Sequence, residues 1–354
     1  MIEDKEIILM NDPGKMVDLL VGFPEQLSNG RKLAFDADLS MIKPAKIGNI
    51  VICGMGGSAI GGDLFRAYAI DTIRLPISVV RDYLLPAFVG KDSLVIASSY
   101  SGNTEETLDS FGEALKRGAQ TIIITTGGKL AEIAKKRNIP LITLPGGLPP
   151  RAALGYSFTP ILTIAERLGF IDNCTNEIDE TIAILKDGVN KFGTDIPISD
   201  NPAKSLAEKI HGKLPIIYSD DWHFNAVAVR IRGQINENAK QLAYSAVLPE
   251  NNHNELVGWK VLGGLGASLI AVFLADIGVN KRVKFRMKYL EDVQKKLGVE
   301  TIKIESSGDG LLARMFSLIQ LGDWVSYYLA ILNKEDPIPV RIIDDLKNSL
   351  ANYA

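Results

Sequence analysis

Small polar residues follow a short apolar run near position 100, and their types suit the binding of an anion. Ser99, Ser101 and Thr104 lie where the run LVIAS passes into the helical pattern EETLDSFGEAL. A phosphate monoester needs several donors, and hydroxyls with the N–H groups of a helix N-terminus supply them without a lysine. The alternative is that these hydroxyls only cap the helix, for which Asn103 with Glu106 would already suffice. Three hydroxyls exceed the needs of a cap, so we predict a sugar-phosphate cradle.

A glycine-rich segment, VICGMGGSAIGGD, has the pattern of a strand, a tight turn and a helix. Gly56 and Gly57 permit a sharp turn, and Ser58 begins the helical pattern. Converging N–H groups and the helix dipole favour an anion here as well. The spacing Gly54-x-Gly56-x-x-Ala59 also satisfies the loose dinucleotide pattern, so a nucleotide site is an open alternative. The chain has no GxxxxGK[ST] segment, which argues against a P-loop.

Short apolar runs alternate with helical patterns along the chain, which predicts an α/β fold with parallel sheets between helices. The predicted strands of the first half are 49–55, 77–80, 94–99, 121–125 and 141–144. Those of the second half are 214–218, 244–248, 269–274 and 301–305. We predict an N-terminal domain of residues 1–152 with leading helices, a helical connection of 153–200, and a C-terminal domain of 201–354 that ends in a helix.

Composition limits the classes of partner. The chain has 354 residues, 46% of them hydrophobic and 23% charged, with a formal net charge of −3. This charge argues against broad capture of nucleic acid. Only Cys53 and Cys174 are present, so we expect no disulfide framework. The start, MIEDKEIILMNDPGK, lacks the pattern of a signal peptide, and the apolar stretch near 262–277 is too interrupted to span a bilayer. We expect a cytoplasmic protein without a membrane partner.

The segments GMGGSAIGGD and SYSGNTEET together resemble the sugar isomerase (SIS) domain family. That resemblance implies a parallel five-stranded sheet flanked by helices in each of two SIS-type domains. Two further segments, PGGLPPRAALGYSF and QINENAKQLAYSAVLPENNHNELVGW, and the terminal pattern DPxPVxxIxxLK are similar to the bifunctional phosphoglucose/phosphomannose isomerases of archaea and some bacteria. The match covers nearly the whole chain in order. It implies a homodimer that interconverts hexose 6-phosphates without a cofactor.

The resemblance also implies roles for individual residues. Glu237, in the segment NEN, matches the glutamate that moves a proton between C1 and C2 through a cis-enediol. Arg151 matches the arginine that stabilises the enediolate, and Lys347 matches an active-site lysine. His253 matches the acid/base that opens the sugar ring, which in related enzymes enters the site from the partner subunit. The phosphate-binding residues implied by the resemblance are Gly56, Gly57, Ser58, Ser99, Ser101 and Thr104.

One departure concerns the choice of substrate. In relatives, a small threonine near the C-terminal pattern is associated with acceptance of mannose 6-phosphate. The stretch DPIPVR at 336–341 has no threonine. The glucose 6-phosphate activity is therefore better supported than the mannose 6-phosphate activity.

Three other classes of protein remain as alternatives. A non-catalytic SIS-domain sensor is disfavoured because the first forty residues contain no basic recognition helix. A glucosamine-phosphate isomerase or synthase-like domain is disfavoured because there is no glutaminase segment or N-terminal catalytic cysteine. An NAD enzyme lacks a clear acidic residue at the expected distance from the glycines. The three histidines, His211, His223 and His253, do not show metal-ligand spacing, so we expect no metal site.

Overall fold

Two parallel β-sheets organise the chain, and a computed structural model describes residues 2–353, apart from the side chain of Ala351. The strands are β1 (Asn49–Cys53), β2 (Ile77–Val80), β3 (Ser93–Ser98), β4 (Gln120–Thr125), β5 (Leu141–Thr143), β6 (Leu214–Asp220), β7 (Tyr244–Leu248), β8 (Leu269–Ala275) and β9 (Glu300–Glu305). The helices are α1 (Lys5–Asn11), α2 (Met16–Val21), α3 (Phe23–Asp36), α4 (Gly56–Ala69), α5 (Glu105–Lys116), α6 (Gly128–Arg137), α7 (Leu154–Arg167), α8 (Thr175–Phe192), α9 (Pro202–Ile210), α10 (Asn225–Ala239), α11 (Glu255–Gly258), α12 (Lys281–Lys296), α13 (Leu311–Leu332) and α14 (Arg341–Ala351). The predicted α/β class is confirmed.

The described residues form two compact units. The first unit comprises residues 22–186 and 308–315, and the second comprises 2–21, 187–307 and 316–353. Helix α7 belongs to the first unit because it packs on α3 and α4. The domain boundaries at 152 and 200 stay a prediction.

The first unit holds a five-stranded parallel sheet of order β2-β1-β3-β4-β5. Strands β1, β3 and β4 are buried almost throughout, as expected of apolar runs covered by helices on both faces. Helices α3 and α7 approach closely through glycines. A Cβ built on Gly155 would lie 2.5 Å from Gln26 Cβ, and one built on Gly30 would lie 3.0 Å from the Gly155 carbonyl oxygen. This contact fixes α7 and the turn that precedes it.

The second unit holds a four-stranded parallel sheet of order β7-β6-β8-β9. Each of the four strands predicted from the second half of the sequence is present, and the sheet has one strand fewer than the SIS resemblance implied. Residues 316–332 of helix α13 form the core helix of this unit. It is long and apolar enough to cross a membrane, but 83% of its most apolar window is buried in the protein, as in the core helix of a soluble protein. Helix α14 is exposed along its described length.

Candidate functional site

The two predicted phosphate loops lie side by side at the carboxyl edge of the first sheet. Strands β1 and β3 are neighbours, so the loops that follow them leave the sheet at the same place. The backbone N–H of Tyr100 donates to Ser58 Oγ at 3.1 Å and joins the loops directly. Neither α4 nor α5 has a side-chain cap. The first N–H groups of both helices therefore point, without a capping side chain, to the edge where an anion would bind.

The hydroxyls of the second loop divide into supporting and accessible groups. Ser99 is buried, and its Oγ lies 2.8 Å from Thr104 Oγ1 and accepts from the Gly102 N–H at 3.2 Å. These bonds hold the loop in its conformation. Ser101 is exposed, and its Oγ accepts a bond of 3.3 Å from the Asn103 N–H. The Ser101 hydroxyl is thus the more accessible of the two serine hydroxyls to a ligand.

The capping box predicted from Asn103 and Glu106 is wrong. Helix α5 begins at Glu105, and Thr104 occupies the cap position. The Asn103 Oδ1 instead accepts from the Lys129 N–H at 3.0 Å, which ties the loop to the start of α6. The amide is used for this longer-range bond, so it does not cap its own helix.

Arg151 lies in a short 3-10 turn, Pro150–Ala152, and is buried. The start of α4 packs on this turn, because a Cβ built on Gly57 would lie only 2.5 Å from the Pro150 carbonyl oxygen. The structure therefore brings Gly57, and with it the first loop, against the backbone of Arg151. The candidate phosphate cradle and the candidate enediolate-stabilising arginine are neighbours in one unit.

Two residues that support this arrangement have no assigned role in the sequence prediction. Gln26 on α3 donates to the Ala152 carbonyl at 2.7 Å and accepts from the Gly155 N–H at 3.2 Å. The Tyr100 hydroxyl donates to the Pro145 carbonyl at 2.7 Å and accepts from the Leu148 N–H at 3.1 Å. Burial raises the pKa of Tyr100, so its hydroxyl keeps the proton that it donates. The sequence offers one signal for Tyr100, which is its position within the hydroxyl-rich segment. It offers no signal for Gln26.

Glu237 lies in the last turn of α10, in the second unit, and is half-buried. It lines a cleft of about 660 Å³ together with Leu242 and the segment that leads into α14. Charged and polar members of the lining are Asn236, Lys240, Gln241, Glu335, Asp336 and Arg341. A half-buried carboxylate in a cleft of this size is accessible to a small substrate and can act as a general base.

The C-terminal segment that carries the departure from the family pattern runs along this cleft. Pro339 and Val340 line the cleft, whereas Ile338 is not among the described residues that do so. Ile338 packs on Gly14, where a built Cβ would lie 2.5 Å from Ile338 Cγ1. The large side chain at position 338 therefore occupies space outside the cleft.

His253 and Lys347 are both exposed in the second unit. His253 ends the 3-10 turn Glu250–His253, and Lys347 lies on α14, where its Nζ is 3.7 Å from Asp344 Oδ1. Neither residue is among the described residues that line the Glu237 cleft. Within residues 2–353, no group of three or more His, Cys, Asp or Glu side chains is arranged to hold a metal ion.

Comparison with protein families supports the SIS assignment of both halves. Residues 41–146 match the SIS domain family, and residues 199–350 match the family described as the bacterial phospho-glucose isomerase C-terminal SIS domain. Among solved structures, a glucose-6-phosphate isomerase like protein from Thermus thermophilus has a TM-score of 0.64 and 18% identity, covering 98% of each chain. At that identity the likeness concerns the fold alone.

Relatives that match over nearly their full length identify the family more narrowly than the domain matches do. The chain is 45% identical to a bifunctional phosphoglucose/phosphomannose isomerase of Caldicellulosiruptor bescii over 95% of this chain and 99% of the relative. It is 37% identical to a protein of the same description from Aquifex aeolicus, over 86% of this chain and 91% of the relative. At 95% coverage of this chain, the similarity to the first of these relatives extends through both units. The chain belongs to the family of bifunctional phosphoglucose/phosphomannose isomerases.

Proposed function

We propose that this chain is an aldose–ketose isomerase that interconverts fructose 6-phosphate with glucose 6-phosphate and with mannose 6-phosphate. The observation that carries the proposal is the near-full-length similarity to isomerases of both specificities. That similarity favours an enzyme over the sugar-phosphate sensor. The substrate is a hexose 6-phosphate, and the reaction needs neither a metal ion nor a redox cofactor.

The first unit binds the phosphate in this proposal. Support comes from the two adjoining loops, which combine two helix N-termini without side-chain caps with the hydroxyls of Ser58, Ser101 and Thr104. Ser99, Gly56 and Gly57 shape the loops around the phosphate oxygens. Arg151, against which the first loop packs, stabilises the negative charge that develops on the enediolate oxygen.

The second unit supplies the acid–base groups. Glu237 removes a proton from C1 or C2 of the open-chain sugar and returns it to the neighbouring carbon. A proton also passes between O1 and O2, so the carbonyl moves from one carbon to the other. His253 exchanges protons with the ring oxygen and the anomeric hydroxyl to open the ring, a task suited to an imidazole near neutral pH. Lys347 assists as a cation beside the sugar. The enediol is planar at C2, so both C2 epimers become accessible products when either face of C2 can turn towards Glu237.

A homodimer completes the proposal, with His253 acting in the site of the partner subunit. Support comes from the surface around this histidine. Arg286 of α12 donates to Asn252 Oδ1 at 3.3 Å, which links α12 to the His253 turn. Phe285 and Tyr289 on the same helix are exposed by 71% and 54%. Exposed aromatic side chains beside a polar catalytic turn are typical of a surface that is covered by another subunit.

We place this soluble enzyme in the cytoplasm. Cys53 and Cys174 are both free and buried. Burial raises the pKa of each thiol to about 11, so neither is a reactive thiolate at neutral pH. Free thiols without a disulfide partner fit a reducing compartment.

The experiment that tests the function is an assay of fructose 6-phosphate in EDTA that resolves glucose 6-phosphate from mannose 6-phosphate. We expect both products, and we expect Glu237→Gln to reduce kcat for both by at least about a thousandfold, because the amide cannot accept the proton. Glu208→Gln, at an exposed position on α9, is the matched control and should behave as wild type. Glucose 6-phosphate alone would restrict the assignment. Failure to turn over either sugar in a folded protein that binds it would favour the sensor.

A further inference from the structure

A group of hydrogen-bonded side chains, three of them buried and one half-buried, joins the segment that carries His253 to the second sheet. The Tyr218 hydroxyl donates to Glu255 Oε1 at 2.5 Å, and the Trp259 indole N–H donates to the same oxygen at 3.1 Å. The Gln294 amide donates to the Tyr218 hydroxyl at 3.2 Å. These four residues, Tyr218, Glu255, Trp259 and Gln294, are called the Glu255 clamp below.

The foundation of the Glu255 clamp is rigid. Tyr218 is fully buried on the central strand β6, and its ring stacks on Phe273 of β8 with 5.0 Å between centroids. Trp259 packs in the same apolar cluster, with Leu290 of α12. Burial, followed by the charge of Glu255, raises the pKa of Tyr218, so the hydroxyl stays protonated and keeps donating. The carboxylate is thus held by a donor whose own position is fixed by the core of the sheet.

The His253 turn has two further anchors, which are buried Asn251 and the bond from Arg286 to Asn252 Oδ1. Buried Leu248 precedes the turn and buried Trp259 follows it, while His253 is exposed. Glu255 stands two residues after His253 and is the first residue of α11. Its backbone N–H donates to Asn254 Oδ1 at 2.5 Å, so backbone and side chain of this residue fix the exit of the turn together. A shift of Glu255 would move His253 with it.

We propose that the Glu255 clamp positions the His253 imidazole for its proton transfer. Glu255 and Tyr218 are positioning residues in this proposal, because they act through the turn and do not touch the sugar. The effect of the clamp on catalysis rests on the proposed function. The effect of the clamp on the position of His253 does not. A displacement of the imidazole by about 1 Å lowers the rate of proton transfer by about one to two orders of magnitude. A catalytic histidine on an exposed turn therefore needs a rigid anchor.

The structural part is tested without substrate by NMR of histidine Cε1–H groups in the full-length protein. The chain has three histidines, so each signal can be assigned from a His→Gln variant. Tyr218→Phe keeps the ring and removes the hydroxyl that binds Glu255. We expect this variant to change the Cε1–H chemical shift of His253 while leaving that of His211 unchanged. Tyr244→Phe, at an exposed position on β7, is the matched control and should leave all three signals unchanged.

Kinetic measurements then distinguish a role in positioning His253 from a general loss of folded structure. We expect Tyr218→Phe to lower kcat about 10- to 100-fold with KM within about twofold, and to add no further loss in a His253→Gln background. Glu255→Gln keeps an acceptor oxygen for both donors and should retain more activity than Glu255→Ala. An unchanged His253 signal in Tyr218→Phe would overturn the clamp. An altered signal in a protein whose His253→Gln variant is fully active would support the clamp and contradict the catalytic role of His253.

Discussion

At the scale of single residues, the first unit depends on contacts that leave no room for an added atom. A Cβ built on Gly102, whose φ is +69°, would lie 1.9 Å from the Gly127 carbonyl oxygen. One built on Gly57 would meet the Pro150 carbonyl at 2.5 Å. Gly102 sets the separation between the second loop and the residues that precede α6, and Gly57 sets the separation between the first loop and the Arg151 turn. The candidate phosphate site is therefore shaped by backbone as much as by hydroxyl groups.

The choice between glucose 6-phosphate and mannose 6-phosphate is a prediction at this scale. Val340 lines the Glu237 cleft, whereas Ile338 packs on Gly14 outside it. We expect Val340→Ala to raise the ratio of mannose 6-phosphate to glucose 6-phosphate formed from fructose 6-phosphate by up to about tenfold, because it adds space beside the reacting carbons. Initial rates of the two products measure this ratio.

Ile338→Thr is the matched comparison, since it introduces a threonine into the stretch 336–341, which has none. We expect it to leave the product ratio near the wild-type value and to cost about 1 kcal/mol of unfolding free energy through lost packing on Gly14. If Ile338→Thr shifts the product ratio and Val340→Ala does not, the placement of Val340 in the cleft and of Ile338 outside it is contradicted.

At the scale of elements, helix α10 is held in one rotation about its axis by buried polar pairs with α13. Arg230 donates to Asp323 Oδ2 at 2.9 Å, and the Asn238 amide donates to Ser326 Oγ at 3.0 Å. Positions 230 and 238 lie near the same face of the helix, so both bonds face α13. Glu237 therefore emerges beside this fixed face, at the cleft.

The buried pair Arg230–Asp323 gives a stability prediction. Burial raises the pKa of Asp323, and the Arg230 guanidinium opposes this rise. Asp323→Ala should lower the free energy of unfolding by about 3–5 kcal/mol, since it leaves an uncompensated buried charge. The double variant Arg230→Met/Asp323→Leu should be more stable than Asp323→Ala, because neither charge is then buried. Urea unfolding followed by tryptophan fluorescence checks the order, and a double variant less stable than the single one would contradict it.

Sequence patterns predicted the elements better than the contacts between them. The strand at 214–218 was predicted from a short apolar run, and β6 extends it by two residues. By contrast, the bond from Gln26 to the Ala152 carbonyl joins residues 126 positions apart. The bond from Tyr218 to Glu255 likewise joins a buried strand to a loop. Local periodicity reports which face of an element is buried, but it does not report which distant polar group completes a hydrogen bond.

At the scale of the whole molecule, the two sheets share one topology but not one chemistry. The orders β2-β1-β3-β4 and β7-β6-β8-β9 place equivalent strands in equivalent positions. After β6, Asp220 Oδ1 accepts from the Trp222 and His223 N–H groups, and after β8, Asp276 Oδ1 accepts from the Gly278 N–H. In the second sheet, aspartate side chains thus accept from backbone N–H groups that follow the strands. In the first sheet, the corresponding loops are rich in glycine and hydroxyl residues and leave such groups for an anion. This difference agrees with the proposed function, in which the first unit binds the phosphate and the second unit supplies Glu237 and His253.

The last prediction concerns the proposed dimer and the subunit that supplies His253. Glu237→Ala and His253→Ala proteins should each be nearly inactive. If each site uses its own Glu237 and the histidine of its partner, random exchange of subunits makes half of the dimers mixed, each with one intact site. The mixture should then recover about a quarter of wild-type activity. The two proteins carry different tags, so native mass spectrometry detects the mixed dimers and confirms that exchange has occurred.

Phe285→Glu, introduced into both proteins, sharpens the mixing experiment. A carboxylate at this exposed position on α12, next in the chain to Arg286, should weaken the dimer, because burying it against another subunit is costly. The recovery of activity should then be lost together with the dimer seen in sedimentation. Phe88→Glu, at an exposed position of the first unit, should leave recovery intact. If exchange is confirmed and no activity returns, His253 acts within its own chain; if activity returns with Phe285→Glu, the partner subunit binds elsewhere than on α12.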